Sequence, residues 1–168
     1  MTGNVVAVDN GTTVYGSAPT AWFVYSGASS GQATPTLTFD NAAASFSASV
    51  SVTPSADGSY VFGAVALGFV EAFQSTGTSC ANGSGYEGVS FDIEGDFGTC
   101  KPTFIVFTSE DEPSGLGGTC TASTCYSPFT ALTQTGTVMV PFTALTGGMP
   151  QGTVDTSAIT ALQWQFTL

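Results

Sequence analysis

The chain has no arginine and no histidine, and Lys101 is its only lysine. That absence excludes most enzyme chemistries before any motif is considered. A Ser-His-Asp triad, a Cys-His pair and an imidazole-built zinc or copper site all require histidine. Phosphate recognition leans on Arg or Lys forks, which a single lysine cannot supply. Carboxylates, amides, hydroxyls and aromatic rings remain. Those groups suit gripping a neutral polyhydroxylated ligand better than cleaving one.

Charge is equally one-sided: one basic residue against 12 acids gives a formal net charge of -11. This balance opposes binding to nucleic acid or to an anionic membrane. Yet only 8% of residues are charged, so the chain is not an acidic disordered polymer. No apolar run approaches the roughly 20 residues of a membrane helix. Met1 is followed by neither a basic n-region nor an apolar h-region, so the expectation is a chain trimmed behind its native leader.

What is present reads as β structure. The 168 residues fit one domain spanning 1–168, long enough for a sizeable core. Phe46–Val52, Val89–Glu94 and Leu162–Thr167 alternate apolar and polar residues with period two, the pattern of half-buried strands. Val5–Val8, Ala21–Tyr25, Thr36–Phe39, Tyr60–Phe69, Thr103–Thr108 and Val138–Phe142 are further strand candidates. Turn chemistry separates them at Asp57-Gly58, Asn82-Gly83, Gly95 to Gly98 and Gly147-Gly148. Only Thr156–Ala161 suggests a short helical turn. About nine strands with Gly-rich connections predict an all-β, two-sheet β-sandwich wound as a jelly roll.

Four cysteines lie in Gly/Ser/Thr-rich segments. No C-x-x-C pair suggests a metal site. The preferred pairing is Cys80–Cys100 with Cys120–Cys125, since each pair brackets a compact loop; disulfides imply an oxidising, extracellular setting.

Candidate site residues fall into three groups. Asp92 and Glu94 are two apart and share a strand face. A glycosidase sets its two acids on opposite sides of the scissile bond, so this pair would need a partner such as Glu71 or Glu87. Ligand hydrogen bonding is the simpler role. Oxygen-rich turns at Asp9-Asn10-Gly11-Thr12, Asp40-Asn41 and Ser109–Glu112 offer the ligand type that calcium takes, without the spacing of an EF-hand. Asn10-Gly11-Thr12 and Asn82-Gly83-Ser84 match the N-glycosylation sequon. Phe46, Phe91, Trp164 and Phe166 occupy alternating apolar positions and are expected in the core. Trp22 and Tyr25 fall on opposite faces of one strand. Tyr60, Tyr86 and Tyr126 lie beside turns, where a tyrosine is either a half-buried cap or a platform for a sugar ring.

Tyr86 to Gly95 resembles the Y-x-G-(I/V)-x-F-x-x-x-G strand of carbohydrate-binding modules with a galactose-binding-like jelly-roll fold. Gly117 to Cys125 is similar to the GG-x-C…C loop of their bacterial secreted relatives, and Val138 to Leu145 to their V-P-F-x-x-L strand. Asp155 to Phe166 resembles their D-x-x-x-I-x-x-L-Q-W ending, while Ala21–Tyr25 and Phe62–Ala64 are similar to two upstream strands. The resemblance implies a noncatalytic module, part of a larger secreted enzyme or surface protein. It would recognise a neutral polysaccharide, a β-glucan or related plant cell-wall glycan such as cellulose. It also implies a structural Ca2+ near the N-terminus, with Asp9, Asn10 and Asp155 as candidate ligands.

The expected ligand face combines Trp22, Tyr25, Tyr60, Tyr86 and Tyr126 as rings with Asp92, Glu94, Gln163 and Gln165 as polar partners. Two alternatives accompany this expectation: a structural or adhesive extracellular domain, and a small jelly-roll glycoside hydrolase using paired carboxylates.

Overall fold

The computed structural model describes residues 8–9, 13–14, 21–27, 33–40, 45–69, 80–114, 118–121 and 123–168. It is an all-β sandwich. The described strands are β1 (Val8–Asp9), β2 (Thr13–Val14), β3 (Ala21–Gly27), β4 (Ala33–Asp40), β5 (Ser45–Val52), β6 (Phe62–Gly68), β7 (Gly88–Ile93), β8 (Lys101–Thr108), β9 (Phe129–Ala131), β10 (Gly136–Pro141) and β11 (Ile159–Thr167). One five-stranded antiparallel sheet runs in the order β3-β6-β11-β8-β9. The β7–β10 pair packs on one face of it, and the β4–β5 hairpin lies against β3 and β6.

Period-two alternation puts the core between the large sheet and the β7–β10 pair. On β8, Pro102, Phe104, Val106 and Thr108 are buried while Lys101, Thr103, Ile105 and Phe107 alternate toward the other face. Phe91 of β7 meets Phe104 and Trp164, with all three ring centroids 5.2 Å apart. Such aromatic pairs add about 0.5–1.5 kcal/mol each beyond burial. Val138, Val140 and Leu162 complete the layer, and Phe166 packs on its edge. The core expected of Phe91, Trp164 and Phe166 is present; the Phe46 side chain lies outside the described residues.

Strand β6 carries the run Phe-Gly-Ala-Val-Ala-Leu-Gly because both of its faces are covered. Val65 and Leu67 face the core, while Ala64 and Ala66, also fully buried, lie on the opposite face. The β4–β5 hairpin keeps a polar outer surface: Thr36 and Ser49 are exposed and bonded to each other at 2.7 Å, whereas Val50 and Val52 are half-buried.

Three expectations need correction. Cys120 and Cys125 form a disulfide, but Cys80 and Cys100 are free thiols. Cys80 precedes Ala81, which bridges Ile159 at the start of β11; Cys100 precedes Lys101, which pairs with Thr167 at its end. At about 3.3 Å per residue these points are ~26 Å apart, far beyond the ~7 Å that a disulfide can span. Sequence spacing brackets a loop, but it does not report which sheet end each cysteine occupies. Second, the short turn expected over Thr156–Ala161 ends sooner: the Ala158 N–H donates to the Asp155 carbonyl at 3.2 Å, Asp155 Oδ1 accepts from the Ser157 backbone at 2.9 Å, and β11 starts at Ile159. Third, β10 stops at Pro141, and Phe142–Ala144 is a single 3-10 turn.

Candidate functional site

The face of the five-stranded sheet opposite the β7–β10 pair carries a continuous polar relay. Register places Tyr25 opposite Ala64, Ala64 opposite Gln165, and Gln163 opposite Ala66. The alanines are too short to intervene, so the longer side chains meet above them. The Tyr25 hydroxyl donates to Gln163 Oε1. Gln163 Nε2 donates to Gln165 Oε1 at 2.9 Å, and Gln165 Nε2 donates to the Tyr60 hydroxyl at 3.0 Å. Each member polarises the next, and the Tyr60 hydroxyl proton is left to donate outward.

The relay is exposed at both ends and buried within: Tyr25 is 37% and Tyr60 62% exposed, while Gln163 between them is 2% exposed. Burial pushes the Tyr25 phenol up to about 12, with the Gln163 bond working in the opposite direction. The phenol therefore remains a donor across the physiological range. Phe62 fills the space between the two tyrosines, with ring centroids 5.9 Å from Tyr25 and 5.7 Å from Tyr60. Three rings and two amides thus occupy one patch.

Gly27 makes that patch possible. It pairs with Phe62, and a Cβ at position 27 would lie 2.0 Å from Phe62 Cε1. The ring lies across the strand where only a glycine leaves room. We expect Gly27→Val to cost about 1.5 kcal/mol by overpacking, because a side chain there must displace the Phe62 ring. A urea melt of the variant unchanged from the parent would contradict this packing.

The other expected site residues lie elsewhere. Asp92 and Glu94 are exposed on the outer surface of the β7–β10 layer, two layers away from the relay, and Asp92 accepts from Thr137 Oγ1 at 2.6 Å. They cannot join Gln163 and Gln165 around one ligand, because β7 and β11 present opposite outer faces of the sandwich. Gln163 is also not an outward contact: it faces away from the core but is buried. Tyr86 is exposed before β7. Tyr126 is exposed beside Met149, its partner in an isolated bridge. Trp22 sits opposite Leu67 in register, and its side chain lies outside the described residues. Glu87 is exposed next to β7, and Glu71 lies outside the described residues.

Of the calcium candidates, Asn10 lies outside the described residues and Asp9 is described only as backbone of β1. Asp155 Oδ1 accepts both the backbone N–H and, at 2.7 Å, the hydroxyl of Ser157. Among the described residues no group of three or more His, Cys, Asp or Glu is placed to hold a metal ion. The oxygen-rich loop after β8 is instead tied into the fold: Asp111 is buried, and Glu112 Oε2 accepts from Thr160 Oγ1 at 3.1 Å.

Burial pushes the Glu112 carboxyl up to about 6, against the opposing effect of the Thr160 bond. A carboxyl raised in the folded state binds more protons there than in the unfolded chain. Its stabilising contribution is therefore complete below the ordinary value near 4.5 and disappears as pH rises through about 6. We expect the protein to lose about 1 kcal/mol of stability between pH 4.5 and pH 7 from this group. Denaturant melts of the parent and Glu112→Gln across that range check it; an identical pH slope in both would contradict the assignment.

Sequence reasoning does not single out Phe62 as part of this patch. Phe62 belongs to a strand-like apolar run, and only cross-strand register shows that it shares a face with Gln165. No family model, no curated protein and no solved structure matches this chain.

Proposed function

We infer that this domain is a noncatalytic carbohydrate-binding module of an extracellular protein, and that its ligand patch is the Tyr25–Phe62–Tyr60 ring group with Gln165. The observation that carries this reading is the relay ending at an exposed tyrosine beside a second ring. A pyranose offers C–H groups to a ring face and hydroxyls to an amide and a phenol, and this patch supplies both. The ligand class is a neutral polysaccharide such as a β-glucan. A strand order with late β11 between early β6 and middle β8 supports a jelly-roll winding, and the Cys120–Cys125 disulfide supports an oxidising compartment. Affinity electrophoresis through gels containing β-glucan, xylan or mannan tests the function. Retardation on at least one is expected, and none on any would overturn it.

One observation favours the structural or adhesive alternative. Tyr126, Phe129 and Met149 are exposed near one another, linked by the Tyr126–Met149 and Phe129–Thr146 bridges. Concentration-dependent assembly by light scattering, without glycan retention, would select it.

A further inference from the structure

Lys101 is the single cation in a chain with 12 acids, and no carboxylate among the described residues forms an ion pair with it. Its position is informative. It is exposed at the start of β8, on the face shared with Gln165 and Phe62. Register sets Phe62, Thr167 and Lys101 in one row across three strands. At ~4.8 Å between strands, the Lys101 and Phe62 backbones are about 10 Å apart. Gln165 pairs with Thr103, so Lys101 is its diagonal neighbour, at about 7–8 Å between backbones and within reach of a long side chain.

We propose that Lys101 adapts this patch to a glycan carrying a uronic acid, with the neutral chain on the Tyr60 and Phe62 rings and the carboxylate at the lysine ammonium. The proposal rests on the sugar-binding reading above and narrows its ligand.

Among the described residues, no acid forms an ion pair at this position. Asp92 projects from β7, away from the large sheet, and Glu94 is exposed in the segment that follows. Asp111 and Glu112 sit by Thr160, seven residues along β11 from Thr167, or ~23 Å. The acids nearest in sequence to the patch are already engaged: Asp57 accepts from the Ser55 hydroxyl and from the Ser59 backbone at 3.0 Å, and Asp96 accepts from the Gly98 backbone at 2.8 Å. With a screening length of roughly 8 Å at physiological salt, charges more than ~20 Å away are largely screened at Lys101.

The test compares a xylo-oligosaccharide bearing one glucuronic acid branch with the same molecule methyl-esterified at its carboxyl, by titration calorimetry. The acid is expected to bind about tenfold tighter than the ester at physiological salt, since a charge-assisted contact is gained. In Lys101→Gln the preference should fall below about twofold, with ester affinity and melting temperature unchanged because the side chain is exposed. Equal affinity for acid and ester in the parent, or a preference that survives in Lys101→Gln, overturns the proposal while leaving sugar binding intact. Failure of both forms and of β-glucan, xylan and mannan to bind would remove the underlying reading as well.

Discussion

Replacing Asp111 with alanine is expected to lower the unfolding free energy by about 3 kcal/mol, the largest single polar effect in this domain. Asp111 is 1% exposed in a chain whose only cation lies at the other end of the sheet. Hydrogen bonds alone stabilise its carboxyl group. Thr108 Oγ1, itself fully buried, donates to Oδ2 at 3.0 Å, and the Gln151 backbone N–H donates to Oδ1 at 3.0 Å. Removing the carboxyl orphans both donors, at about 1–3 kcal/mol for a buried group, and frees the loop after β8 from the segment around Gln151. Asp111→Asn keeps one acceptor oxygen and should lose roughly half as much. Urea melts decide the matter; an alanine variant within about 0.5 kcal/mol of the parent would show that these bonds do not hold the loop.

The second large effect is on binding. Tyr60→Ala removes an exposed platform and the acceptor at the end of the relay, so glycan affinity should fall about 30-fold, or ~2 kcal/mol. Stability should change by less than about 0.5 kcal/mol, because the ring is largely in solvent. Tyr60→Phe keeps the stacking surface and loses only the hydroxyl, giving about a fivefold loss. Tyr60→Phe and Gln165→Ala should be non-additive, since both break the same Gln165–Tyr60 bond. An alanine variant that binds within twofold of the parent would exclude Tyr60 as a platform.

The legible part of the fold was the part set by local alternation. Phe104, Val106, Leu162 and Trp164 follow period two, so their strands and common face could be read from the residues alone. β9 was missed because Phe129–Ala131 is three residues long, and its pairing with β8 is imposed by tertiary contact. The candidate site was half legible. Tyr25, Tyr60, Gln163 and Gln165, readable as outward polar and aromatic positions, meet in one hydrogen-bonded relay. Asp92 and Glu94 were grouped with them because alternation reports a face but not which layer that face belongs to. The same limit applies to Cys80 and Cys100: nothing local says that they lie at opposite ends of β11. Likewise, only register reveals that Phe62 needs the missing side chain of Gly27.

The most direct test of the central claim is a titration of the isotopically labelled domain with cello- and xylo-oligosaccharides, followed by amide and side-chain NH2 resonances in NMR spectra. Saturable shifts concentrated at Tyr25, Tyr60, Phe62 and the Gln165 side-chain amide are predicted, with Asp92, Glu94 and Tyr86 unmoved. Shifts confined to the β7–β10 face, or none at any sugar concentration, would contradict it.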